Sequence, residues 1–183
     1  MKQRDPRDVA KRAIVMNCVV AASFGVPRDA IVAWLKSEGI WDAATDWEAI
    51  YLQADAPGEE DDIEANQTAE AVATLVWAMG LLDTLPDASQ PTALELVIES
   101  LPQIEEPAKD FLNAARLRPQ NEISAFNESV YNSHWAVRDA MLNDRPIPDD
   151  YHPVVVYQRH RATNWLCPDV IGDVTWDEVH TDT

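Results

Sequence analysis

Glycine is scarce in this chain: five residues in 183, against twelve prolines. No GxGxxG or GxxxxGK pattern occurs, which excludes the glycine-rich loops that cradle phosphates at a helix N-terminus. Cysteine is scarcer still. Cys18 and Cys167 lie far apart, with no CxxC and no neighbouring pair of histidines. That excludes a disulfide framework and a cysteine-based zinc site, and the two read as reduced, buried thiols. No apolar run reaches the roughly 18 residues a membrane span requires. The stretch MKQRDPRDVAKR followed by AIVMNCVVAASF has the outline of a leader, but Asp5, Asp8 and Asn17 interrupt it, so the expected location is cytoplasmic. HExxH and GxSxG are also missing, and no catalytic set is assigned.

The most uneven absence is positive charge. Fourteen Lys and Arg stand against 32 Asp and Glu, for a net charge of −18. Residues 37–108 contain no Lys or Arg but 17 acids, whereas residues 1–36 hold seven bases and three acids. Such a segment cannot neutralise itself with ion pairs along its helix surfaces. It faces solvent, the basic N-terminal segment, or a basic partner. Nucleic acid and anionic membranes are disfavoured as partners, because phosphate contacts need clustered Lys and Arg.

The remainder of the composition, 46% hydrophobic and 25% charged, suits one packed domain over residues 1–183 that needs no disulfide or metal staple. Helical periodicity dominates and strand alternation is almost absent. Pro6 opens a helix with Val9, Ala13, Met16, Val20 and Phe24 on one face, widened by Val15, Val19 and Ala22, so that it belongs at the centre of a bundle. Pro27 opens a short helix with Ile31, Trp34 and Leu35, closed by Gly39. Thr45 and Glu48 form a capping-box pattern ahead of Trp47, Ile50, Tyr51 and Leu52. The acidic run at 55–62 reads as a mobile loop, and a long helix is expected over 67–82. Short helices follow Pro91 and Pro107. A long one spans 121–142, with Ile123, Phe126, Val130, Val137 and Met141 on its stripe and His134 in the gap. Residues 154–166 read as helix and 167–183 as irregular. The expected fold is all-α, a single-domain bundle of about seven or eight helices, with the C-terminal tail packed on the last of them.

Two groups of polar residues stand out. Glu59, Glu60, Asp61, Asp62 and Glu64 are the candidate partner-binding acids; their spacing does not match an EF-hand. Nearer the C-terminus lie His134, Arg138, Arg159, His160, Asn164, Trp165, Trp176, Asp177 and Asp182. Periodicity puts Arg159 on a buried stripe, where a guanidinium needs a carboxylate partner, and Asp177 and Asp182 are the candidates. This cluster is either a buried structural network, the favoured reading, or a ligand site. His160, Asp177, His180 and Asp182 have the ligand types for zinc or manganese, but none pair at i, i+4 on one helix, so no metal or cofactor is assigned.

The run Tyr157-Gln158-Arg159-His160-Arg161-Ala162-Thr163-Asn164-Trp165-Leu166, then Trp176-Asp177-Glu178-Val179 and Thr181-Asp182-Thr183, resembles the end of domain-of-unknown-function family 4272. Arg7, Val9, Arg12 and Ala13, the segment at 75–82, and Leu117-Arg118-Pro119 look similar too. Gln158 stands where the family pattern reads Glu. The resemblance implies a small, mainly helical bacterial domain and supplies no activity. The charge layout leads to a non-enzymatic interaction or inhibitor module, immunity-like, meeting a basic protein through its acidic face. The alternatives are a small-ligand binder or enzyme using Arg159, His160, Asp177 and Asp182, and a homo-oligomeric structural protein built on an exposed patch from the seven Trp.

Overall fold

A computed structural model describes residues 2–183, and among them there is no strand. In chain order the helices are α1 (Pro6–Ser23), α2 (Arg28–Ser37), α3 (Asp46–Gln53), α4 (Glu59–Gln67), α5 (Ala69–Ala78), α6 (Leu94–Ile98), α7 (Lys109–Ala114), α8 (Gln120–Leu142), α9 (Pro153–Leu166) and α10 (Pro168–Ile171). Single 3-10 turns occur at Trp41–Ala43 and Trp176–Glu178.

Two helices organise the rest. α1 starts with Pro6 in its first turn and the Asp5 carboxylate accepting from the Arg7 amide at 2.8 Å. It buries eleven of its 18 residues and packs against α2, α3, α4, α5 and α7. α5 is apolar nearly all round, with every residue from Glu70 to Ala78 buried, the behaviour of a helix with no face left for water. One side of α5 meets α1 and the other meets α9, and α9 lies along α8. The core therefore runs through Val9 and Ile14, then Leu75 and Val76, then Ala162 and Leu166, to Trp176 of the tail.

Local chemistry sets the boundaries. Gly39, at φ 66°, ends α2, and the Ile40 amide reaches back to the Leu35 carbonyl at 2.8 Å. Thr45 and Glu48 form the expected capping box. The long helix expected over 67–82 is shorter. Thr68 separates α4 from α5, and Gly80, at φ 74°, closes α5 with the Leu81 amide bonded to the Val76 carbonyl at 3.1 Å. That left-handed cap is why the apolar pattern outlasts the helix.

The acidic run is a second correction. Glu59, Glu60, Asp61 and Asp62 are the first turn of α4, where a helix favours negative charge. Asp61 accepts from the Gly58 amide at 2.9 Å, and Asp62 accepts from the Tyr51 hydroxyl at 2.6 Å and from Arg28 at 3.1 Å. Burial and the Asp62 hydrogen bond push the Tyr51 phenol up to about 12. Three expected core residues are exposed: Phe24 caps α1 from outside, Ile50 lies on the outer side of α3, and Met141 yields its inward place on α8 to Ala140.

Cys18 and Cys167 are free and buried, and burial, with Glu48 nearby, pushes the Cys18 thiol up to about 12. Among the described residues no helix is long and apolar enough to cross a membrane.

Candidate functional site

The expected C-terminal cluster is divided by the fold into three places. The deepest is an ion pair. Arg159 sits mid-way along α9, on the side packed against α5, and meets Glu70: its Nε and one terminal nitrogen each donate to Glu70 Oε2 at 3.3 Å. The other terminal nitrogen donates to the Pro86 carbonyl at 2.8 Å. Thr92 completes the set, its amide donating to Glu70 Oε1 and its hydroxyl to Oε2 at 3.0 Å. Both charged side chains are about one-twentieth exposed or less. Burial lowers the pKa of Arg159, with Glu70 opposing the shift. The partner is thus Glu70, and not Asp177 or Asp182. Periodicity places Arg159 inside, but its carboxylate lies 89 residues away.

The second place is a pocket between α8, α9 and the tail, with a volume of about 300 Å³ and a largely apolar surface beside its polar side chains. α8 turns Asn127 and His134 inward, and α9 turns His160 and Asn164 toward them. The two imidazoles touch through their Nδ1 atoms at 2.9 Å, so one donates and the other accepts. Burial first, and its partner second, pull His160 down to about 4, so it is neutral at physiological pH. Burial, then the charge of Arg138, lowers His134 as well. Asn127 donates to the Thr163 hydroxyl at 2.9 Å and to Asn164 Oδ1 at 2.8 Å. Asn164 in turn donates to the His180 carbonyl at 2.8 Å, and this bond brings Asp182 to the pocket wall. Arg138 is exposed on α8, outside the pocket.

The third place is an open cleft of about 700 Å³ beside the C-terminal end of α9, lined by Trp165, Trp176 and Asp177. Lys11 lines it, and its two arginines, Arg4 and Arg12, are already engaged. Arg4 lies over the Trp165 ring and bonds the Val174 carbonyl at 2.8 Å, and Arg12 and Arg161 flank Trp176, each with its guanidinium carbon 5.2 Å from the ring centre. Arg12 also forms a buried ion pair with Glu48 and donates to the Ala43 carbonyl at 2.7 Å. The cleft is a docking seam for the tail.

Glu70, Thr92 and Asn127, and the pairing of Arg12 with Glu48, are the buried polar features that sequence reasoning missed. A signal existed for two of them: Glu70 interrupts a helix otherwise apolar on nearly every side, and Arg12 falls among Val9, Ala13 and Met16 on the inward face of α1, and a charge in either place must be paired. Among the described residues no group of three or more His, Cys, Asp or Glu is placed to hold a metal ion. Among the acids, Glu59, Glu60 and Glu64 are exposed, while Asp61 and Asp62 are tied to their own corner of the fold.

Fold and site together define an all-helical domain with two buried ion pairs and a pocket between α8, α9 and the tail. The family model described as Domain of unknown function (DUF4272) matches residues 1–179, and the chain belongs to that family. No curated protein and no solved structure matches it.

Proposed function

We propose that this domain is a non-enzymatic interaction module, of the inhibitor or immunity type, that meets a basic protein through its acid-rich helices. One observation carries the reading. Of the 17 acids at 37–108, only Glu48, Asp62 and Glu70 are paired with Lys or Arg among the described residues. Their partners, Arg12, Arg28 and Arg159, all come from outside the segment. The basic N-terminal segment therefore does not cancel the charge, although α1 packs directly on α4 and α5. An uncompensated negative field speeds encounter with a positive surface and sets partner choice. The free buried thiols support a reducing, cytoplasmic setting.

Glu59, Glu60 and Glu64 are the acids to neutralise, since Asp61 and Asp62 hold α4 in place. With all three changed to Gln, the fold is expected to persist. Association with a basic protein captured from native lysate and released by salt should slow by about tenfold or more. Equal capture and equal rates for wild type and variant would remove the acidic face from consideration.

A second reading, self-association, is favoured by the outer side of α8, where Tyr131, Trp135, Met141 and Leu142 are 41–74% exposed. Patches of this kind mark interfaces. Light scattering across a concentration series is expected to show a dimer or larger; a monomer throughout discards this reading.

A further inference from the structure

The pocket between α8, α9 and the tail has the chemistry of a ligand site. Its inner wall is made of His160, Asn164 and Asn127, which are 1%, 4% and 6% exposed. Buried polar groups of this kind need hydrogen-bond partners. Asn127 donates to its neighbours Thr163 and Asn164, which fixes its side chain in the wall. At the mouth stand two exposed carboxylates, Glu128 from α8 and Asp182 from the tail. No Lys or Arg lines the pocket. Tyr131 supplies an aromatic edge to the wall, and Val170 and Ile171 of α10 supply apolar surface.

These features select a ligand class. The two carboxylates at the mouth are acceptors, so they call for an occupant that donates. With two carboxylates at the mouth and no Lys or Arg in the wall, which His180 also lines, the pocket disfavours anions and favours a positive charge. An aromatic ring beside carboxylates suits an ammonium group. The small apolar wall suits a short hydrocarbon body, and the volume is at the lower end for a small-molecule site.

We propose that this pocket binds a small protonated organic amine, its ammonium groups held by Glu128 and Asp182 and its hydrocarbon body against α10. The burial that pulls His160 down to about 4 agrees with this, because it places no competing charge on that part of the wall.

The probe is 1,4-diaminobutane, titrated into the full chain at physiological ionic strength and followed by two-dimensional amide NMR. Saturable binding of one molecule per chain is expected, with shifts in the side-chain amide signals of Asn127 and Asn164. The double variant Glu128→Gln, Asp182→Asn lies at an exposed rim and should fold normally. It should weaken binding by about tenfold or more, since each charge-assisted hydrogen bond carries roughly that factor. Butane-1,4-diol, of the same length but neutral, should not bind. No saturation by about 10 mM, shifts spread over the acidic surface, or unchanged affinity in the double variant would each overturn the proposal. So would equal binding of the diol.

Discussion

Glu70→Ala is expected to lower the stability of the domain by about 3–5 kcal/mol, because it strands the buried Arg159 guanidinium in an apolar core. Glu70 takes hydrogen bonds from Arg159 and from both the amide and the hydroxyl of Thr92, so the loop before α6 loses its anchor as well. At this chain length each kcal/mol moves Tm by roughly 2–4 °C, which makes the expected fall on the order of 10 °C in calorimetry. Arg159→Ala should cost a similar amount by leaving Glu70 unpaired. The double variant Glu70→Leu, Arg159→Met should lose less than the sum of the two, since removing both charges also removes their desolvation penalty. A Tm shift under about 2 °C for Glu70→Ala would show that the pair does not hold the fold together.

The second large effect is a loss of stability in mild acid. His160 in the folded chain titrates near 4, well below the ordinary imidazole value near 6.5. Between those values the unfolded chain binds a proton that the folded chain refuses. Stability therefore rises with pH across this window and is lost as pH falls through it. His134 is shifted in the same direction and adds to the slope. For His160 alone the effect reaches at most about 3 kcal/mol between neutral pH and 4. Urea unfolding midpoints should fall steeply from about pH 6.5 to 5 in the wild type. They should fall much less in His134→Gln, His160→Gln, which retains polar contacts but cannot titrate. Parallel slopes in the two proteins would refute a role for this pair.

These two sites also show how far the sequence can be read. The burial of Arg159 and the placing of His134 in a gap of the α8 stripe follow from a period of 3.6 residues, a local property. The partners do not. Glu70 lies in a helix whose neighbours in space are fixed by topology, and no spacing rule links residue 70 to residue 159. The end signals at Gly39 and at Thr45–Glu48 were legible because caps are made within a few residues. The run from Glu59 to Asp62 misleads for a physical reason: dense negative charge marks a loop by composition, yet it is what a helix N-terminus favours. Gly80 stops α5 inside an apolar stretch whose periodicity alone predicts continuation. The pocket needs α8, α9 and the tail at once, so only its individual members His160, Asn164 and Asp182 stand out beforehand, and Asn127 does not.

Because α5 is packed on α1 along one side and on α9 along the other, it ties the fate of the two ends of the chain together. Loosening either half exposes the apolar surface of α5, which has no stable place in water. The domain is therefore built to melt as one cooperative unit, so that damage to a contact near the N-terminus is felt at the His160 pocket as a change in population of the whole native state.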